Sequence, residues 1–237
     1  MSIKVLITDP ISDKGLEILK KNNIETLYKV NNEIDKNEDL LESIDGWIIR
    51  SGTNVTKKHL LKAKKLQIIG RAGVGVDNIN IDAATSNGVV VMNVPDGNTV
   101  SAAEHTLAMI LALSRNIHTG HLTLSNGIWD RHKLTGTELQ GKVLGVVGLG
   151  KIGREVIDRA ISFNIKILGF DPYVNKDLFD PKQVEIVTLD DLTKRSDYIT
   201  IHVPKNKSTE NLFDLARIKM MKKTARIVNV ARGGIIN

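Results

Sequence analysis

Apolar residues over the first hundred positions fall into short β-branched runs separated by stretches of helical period, the pattern of a parallel sheet covered by helices. The run Ile3 to Thr8 predicts a first strand, and Ser12 an N-cap for a helix through about Lys21. A weaker strand near Ile24 to Leu27 and a helix around Ile34 to Ser43 follow, then a buried strand from Gly46 to Arg50 that ends at a turn, Ser51 to Asn54. A helix from about Lys57, a strand at Leu66 to Ile69, a short helix at Ile81 to Ser86 and a strand at Val89 to Met92 complete a flavodoxin-like unit.

After a loop at Pro95 to Asn98 the apolar period lengthens. Leu107, Ile110, Leu111 and Ser114 fall near helical spacing and predict a helix from Val100 to Arg115. The stretch Gly120 to Gly141 is less regular and carries Trp129 and Arg131, so an arm outside the core is expected there. A second α/β unit begins at Lys142. Its strands are expected at Val143 to Val147, Lys166 to Phe170, Glu185 to Val187, Tyr198 to Val203 and Arg226 to Val230.

Composition narrows the classes. An apolar fraction of 41% and a charged fraction of 25% are those of an ordinary globular protein. No apolar run approaches the roughly 18 residues that would span a bilayer, and the N-terminus lacks the architecture of a secretory signal; a cytoplasmic protein without membrane association is expected. With no cysteine there is no disulfide, thiolate metal site or thiol nucleophile, and no metal is expected. The net charge of +6 raises the question of nucleic acid, but the lysines are scattered over several predicted helix faces. They read as solvated surface, compatible with a small anionic substrate.

The strand Val143 to Val147 runs into Gly148-Leu149-Gly150-Lys151-Ile152-Gly153 and then a helical pattern, which is GxGxxG in the context that gives it meaning. Gly148 serves the tight turn, Gly150 lets backbone touch a pyrophosphate, and Gly153 permits close helix-to-strand packing. The helix N-terminus adds N–H groups and positive dipole. The next strand ends at Asp171, close to the 20-residue offset at which a carboxylate binds adenosine ribose and repels a 2′-phosphate. Pro172, Tyr173 and Val174 offer no cation for that phosphate, so NAD is expected rather than NADP. The bland alternative is turn glycines and a solvated aspartate. On these motifs the fold class is α/β: a flavodoxin-like domain at 1–98 and a Rossmann-type domain at 99–237.

Several further motifs stand in order around that turn: Gly70-Arg71-Ala72-Gly73-Val74-Gly75-Val76-Asp77-Asn78-Ile79, the run Asn93 to His105, His202-Val203-Pro204 and Asn229-Val230-Ala231-Arg232-Gly233-Gly234. Over essentially the whole chain the sequence resembles the D-2-hydroxyacid dehydrogenases. That resemblance implies that residues 1–98 bind substrate, without that domain's C-terminal helix, and that 99–237 bind NAD, with the cleft between them. It implies that Arg232 holds the substrate carboxylate and keto oxygen through its fork, which lysine cannot reproduce. Arg232 is otherwise a surface arginine at a strand end. Val74 and Gly75 would cradle the same carboxylate as an anion nest, with Ser51 and Asn98 also at the substrate. Val74, Lys151, Ile152, Asp171, Val203, Pro204, Val230, Ala231 and Arg232 match positions that touch NAD.

Arg50, Arg71 and Arg131 align with arginines of the phosphoglycerate subgroup, Arg131 reaching from a partner subunit. Fixed cations of that number suit a substrate with phosphate and carboxylate better than a monoanion. The expected function is therefore NAD-dependent oxidation of D-3-phosphoglycerate to 3-phosphohydroxypyruvate, a step of serine biosynthesis, by a homodimer whose arm lies at about 116–141. In the family the Glu and His that exchange the substrate proton lie well after the Arg-Gly-Gly motif, so the resemblance implies a C-terminally incomplete, inactive chain. His202 reads as a structural or cofactor-shaping residue rather than an acid-base group. A glyoxylate, hydroxypyruvate or other D-2-hydroxyacid reductase and a non-catalytic NAD-sensing regulator are the alternatives.

Overall fold

The computed structural model describes residues 2–29, 34 and 38–237, which divide into two compact units, 1–98 and 99–237. The first is a five-stranded sheet of β1 (Lys4–Ile7), β2 (Glu25–Tyr28), β3 (Gly46–Ile49), β4 (Ile68–Arg71) and β5 (Val90–Asn93). All neighbours run parallel in the order β2-β1-β3-β4-β5, the flavodoxin arrangement. Its helices are α1 (Asp13–Lys21), α2 (Lys57–Lys62) and α3 (Ile81–Ser86). Ser12, Thr56 and Asn80 cap them, each side chain accepting the N–H three residues on, which satisfies a donor the helix itself leaves unpaired. Leu6, Trp47, Ile49 and Ile69 of the strands pack with Leu41, Ile44 and Leu60 in the core. The Trp47 indole N–H, buried there, donates to Thr8 Oγ1 at 2.9 Å.

Two local expectations shift. The fourth strand starts at Ile68 rather than Leu66, because Leu66 closes a turn back to Ala63 and the ladder opens with Gln67 donating to Asp45. It runs on through Gly70 and Arg71, which carry no apolar alternation to read. The segment Glu38–Ser43 is a 3-10 helix rather than part of an α-helix; positions 35–37 of that expectation lie outside the described residues.

The second unit holds β6 (Val143–Val147), β7 (Lys166–Phe170), β8 (Val184–Ile186), β9 (Tyr198–Ile201) and β10 (Arg226–Asn229), again all parallel, in the order β10-β9-β6-β7-β8. Counted from β6 this is 5-4-1-2-3, the Rossmann order through five strands. On one face α4 (Thr99–Ser114) and α6 (Lys151–Ala160) bury Ala103, Leu107, Ile110, Val156 and Ile157 against Leu144 and Val146. On the other, Leu189 and Leu192 of α7 (Leu189–Arg195) join Val147, Leu168, Ile199, Ile201 and Phe213. Helix α8 (Leu215–Met220) precedes β10. Covered on both faces, β6, β7 and β9 read as near-continuous apolar runs, which is why the sequence located them.

Ile117–Ser125 forms a helix, α5, that runs into the segment Gly120 to Gly141 expected to be irregular. None of its residues is buried, and Ile117, Leu122 and Leu124 face outward. No core-facing stripe exists for periodicity to detect. Among the described residues no helix is long and apolar enough to cross a membrane, and no cluster of His, Cys, Asp or Glu is placed to hold a metal.

Candidate functional site

In the second unit four adjacent strands deliver the NAD candidates at their carboxyl ends, around the point where strand order reverses between β9 and β6. That is where open α/β sheets bind ligands. Gly148 leaves β6 at φ +92°, and a Cβ there would sit 2.5 Å from the His202 carbonyl oxygen and 2.9 Å from Val203 Cγ1. Only glycine meets both the conformation and the approach. A Cβ on Gly153 would lie 2.1 Å from the Gly148 carbonyl oxygen, so α6 packs on the turn by virtue of a missing side chain. Gly150 differs: nothing lies within 4 Å of its added Cβ. It is the exposed N-cap of α6 and makes no side-chain cap bond to the first turn of the helix. A diphosphate fits this cradle, because the space a Cβ would fill at Gly150 is open and the donors around it are positive.

Asp171, just past β7, accepts Leu149 N–H on one carboxylate oxygen and Tyr173 N–H on the other, both at 2.9 Å. It ties the glycine turn to β7 and keeps lone pairs for a ribose diol. Asn229, the last residue of β10, accepts from Ala231 N–H at 3.0 Å and donates to the Arg232 carbonyl at 2.7 Å, holding Val230, Ala231 and half-buried Arg232 in a tight turn. One Arg232 nitrogen donates to the Ala231 carbonyl at 2.8 Å. His202, Val203 and Pro204 leave β9 beside the glycine turn. Burial pushes the His202 imidazole down to about 4, and its Nε2 lies 2.9 Å from Thr200 Oγ1. A neutral ring bonded to a buried hydroxyl shapes the turn and is a poor proton acceptor at neutral pH.

In the first unit the candidates gather at the carboxyl ends of β3 and β4. Buried Asp9 accepts the N–H groups of Arg50 at 2.7 Å, Gly52 at 3.0 Å and Thr53 at 3.2 Å, so one carboxylate winds the turn that displays Arg50 and Ser51. Asn78 donates to the carbonyls of Arg50 at 2.7 Å and Thr53 at 2.6 Å, joining that turn to the loop after β4. Asn93, at the end of β5, donates to the Val74 carbonyl of that loop at 2.6 Å, fixing the Val74-Gly75 peptide. Arg71 is buried, and a Cβ on Gly73 would meet its Nη1 at 1.6 Å: the guanidinium lies under the loop rather than out in solvent. Asn98 is exposed just before α4. Arg131 opens a 3-10 helix, Arg131–Leu134. That arm returns through Thr137, whose hydroxyl lies 3.1 Å from the Tyr198 hydroxyl at the amino end of β9.

Sequence reading passed over Asp9, Asn78, Asn93, Asn229 and Arg154 as holders of these loops. For the first four the signal was position, at a strand end or inside a motif already marked; Arg154 stands on α6 one residue past the glycine motif, where nothing marked it.

The fold and the glycine cradle define a nicotinamide-dinucleotide domain of the dehydrogenase type. The family profile described as "D-isomer specific 2-hydroxyacid dehydrogenase, NAD binding domain" matches residues 107–237, and the chain belongs to that family. NAD is its cofactor. Among curated relatives the chain is 44% identical over 240 residues to a D-3-phosphoglycerate dehydrogenase of Methanocaldococcus jannaschii, covering 99% of this chain and 45% of the relative. It is 41% identical over 235 residues to one of Bacillus subtilis, covering 99% and 44%. The chain thus spans less than half the length of these relatives. Among solved structures, an NAD-dependent formate dehydrogenase from Staphylococcus aureus in complex with NAD aligns at TM-score 0.87 and 31% identity, over 100% of this chain and 75% of that one. A D-lactate dehydrogenase from Aquifex aeolicus complexed with NAD and lactic acid aligns at 0.88 and 28%, over 98% and 70%.

Proposed function

We propose that this chain supplies the substrate-binding and NAD-binding parts of an enzyme that oxidises D-3-phosphoglycerate to 3-phosphohydroxypyruvate, at the entry to serine synthesis. The observation that carries the reading is the identity of 41% or more, over 99% of the chain, to relatives that bear the D-3-phosphoglycerate dehydrogenase name. The chemistry of the first unit supports it: Arg50 on a turn wound by Asp9, beside a glycine loop with Arg71 beneath it, suits an anion with two charged ends better than a monoanion.

Oxidation removes a hydride from C2 of the substrate and passes the proton of its hydroxyl to a general base, the part that the family resemblance assigns to a His paired with a Glu. NAD, when bound, accepts the hydride. Arg232 would grip the carboxylate and the developing keto oxygen with aligned charge-assisted hydrogen bonds, and the peptide amides of Val74 and Gly75 would receive the same carboxylate. Lys151, Ile152, Val203, Pro204, Val230 and Ala231 would line the coenzyme. His202 shapes the coenzyme turn and takes no part in proton transfer. Exposed Ile117, Leu122, Leu124 and Trp129 support an arm that a second copy covers, and the enzyme would work as a cytoplasmic homodimer.

Titration calorimetry on the NAD-loaded chain tests the substrate. D-3-phosphoglycerate is expected to bind at least tenfold more tightly than D-lactate or glyoxylate, and Arg50→Ala to remove most of that preference. Equal binding of the three acids would favour a broader 2-hydroxyacid reductase instead.

A further inference from the structure

Two successive peptides of the glycine turn are each held by a side chain. The N–H of the Gly148-Leu149 peptide is taken by the Asp171 carboxylate at 2.9 Å. The carbonyl of the Leu149-Gly150 peptide accepts Nε–H of Arg154 at 3.0 Å. Arg154 lies on the solvent side of α6, one residue past Gly153, and its guanidinium carbon stands 5.1 Å from the ring centroid of Phe179. Phe179, half-buried, packs against the core of this unit and follows the 3-10 turn Lys176–Leu178 in the excursion between β7 and β8. One planar group thereby spans the glycine turn and the segment downstream of Asp171.

A trans peptide is planar, with C=O and the following N–H pointing in opposite directions. Turning the Leu149 carbonyl onto Arg154 therefore turns the Gly150 N–H away from it. At Gly150 the turn is open, with nothing within 4 Å of an added Cβ. Left to itself, a peptide between a leucine and a glycine in an exposed turn would flip at little cost, and a flip would aim a carbonyl oxygen, not a donor, at a diphosphate.

We propose that Arg154, braced by Phe179, is a positioning residue for the diphosphate of the dinucleotide: it touches no coenzyme atom and acts by locking the Leu149-Gly150 peptide with its N–H outward. The proposal rests on the NAD assignment of this domain and adds to it a residue outside the glycine fingerprint. Lysine cannot do the same work, because an ammonium has no planar face for Phe179 and no Nε–H held at fixed angle to it.

The test is calorimetric binding of NADH, ADP-ribose and adenosine to the 237-residue chain and to its Arg154→Met, Arg154→Lys and Phe179→Leu variants, with melting temperatures alongside. Both Arg154 variants are expected to bind NADH and ADP-ribose about tenfold more weakly, the scale of one hydrogen bond to a charged group, with adenosine changed less than twofold. Phe179→Leu is expected to show the same selectivity at about threefold, and it decides the matter if the Arg154 variants do not fold. Unchanged NADH affinity, equal loss across all three ligands, or full rescue by lysine would each overturn the positioning role. Wild-type chain that fails to bind NADH would instead remove the coenzyme assignment on which the proposal stands.

Discussion

The side-chain amide of Asn93, the last residue of β5, donates to the carbonyl of Val74 at 2.6 Å. By the planarity of the peptide this turns the Gly75 N–H away from β5. If that N–H receives the substrate carboxylate, Asn93 governs affinity without touching the ligand. Asn93→Ala is expected to weaken 3-phosphoglycerate binding about tenfold, the effect of misaligning one charge-assisted donor, while NADH binding to the other unit stays as it was. Calorimetry with both ligands checks this; parallel losses for the two would mean a general unfolding rather than a misaimed amide.

Asp9 makes a stronger structural demand. Its carboxylate is buried and serves three N–H groups of one turn. Removing it leaves donors in a site where water has little access, at about 1 to 3 kcal/mol for each that stays unsatisfied. Asp9→Ala is expected to lower stability by about 3 kcal/mol in urea unfolding. Asp9→Asn, which brings an NH2 against backbone donors, is expected to recover less than half of it. A loss under 1 kcal/mol in the alanine variant would show that the turn holds its own shape.

The inner strands β1, β3, β6, β7 and β9 were legible because they are buried along most of their length and therefore apolar, whereas β2 and β5 are largely exposed and gave a weaker signal. The glycine turn was legible because Gly148, Gly150 and Gly153 each answer a different steric demand at fixed spacing. What the sequence concealed follows from the same physics. Helix α5 buries none of its residues, so no periodic stripe marks it. Arg71 was expected at the substrate from its motif alone, and its guanidinium is folded under Gly73, a placement decided by packing within one loop. Asp9, Asn93 and Arg154 bond to backbone atoms of residues far along the chain or across a turn, and backbone atoms carry no sequence signal.

His202 gives the molecule a pH dependence with a definite sign. Its ordinary value of 6.5 is pushed down to about 4 by burial, so the folded protein prefers the neutral ring. The stabilisation is fully present above about pH 6.5 and is lost as the pH falls from there toward 4, where the unfolded chain binds the proton first. Between pH 7 and pH 4.5 the loss from this residue is about 2 kcal/mol. Unfolding curves at the two pH values should show a drop smaller by that amount in His202→Gln, whose amide can still meet Thr200. Identical pH dependence in wild type and variant would place the acid sensitivity elsewhere.

Gly150 and Gly153 should separate coenzyme binding from folding. A methyl on Gly153 would lie 2.1 Å from the Gly148 carbonyl oxygen, so helix or turn must move. Overpacking of this kind costs about 1 to 3 kcal/mol, and Gly153→Ala is expected to lower the melting temperature and NADH affinity together. A methyl on Gly150 meets nothing within 4 Å, and the residue's φ of −71° suits alanine. Gly150→Ala is therefore expected to cost no more than about 1 kcal/mol of stability, the loss of a good N-cap, while its methyl occupies the space a diphosphate requires. NADH affinity should fall by more than tenfold in a protein that melts almost as wild type does. If the Gly150 variant binds NADH normally, the diphosphate lies elsewhere than over this turn; if it melts as early as the Gly153 variant, the open space at Gly150 is filled in solution.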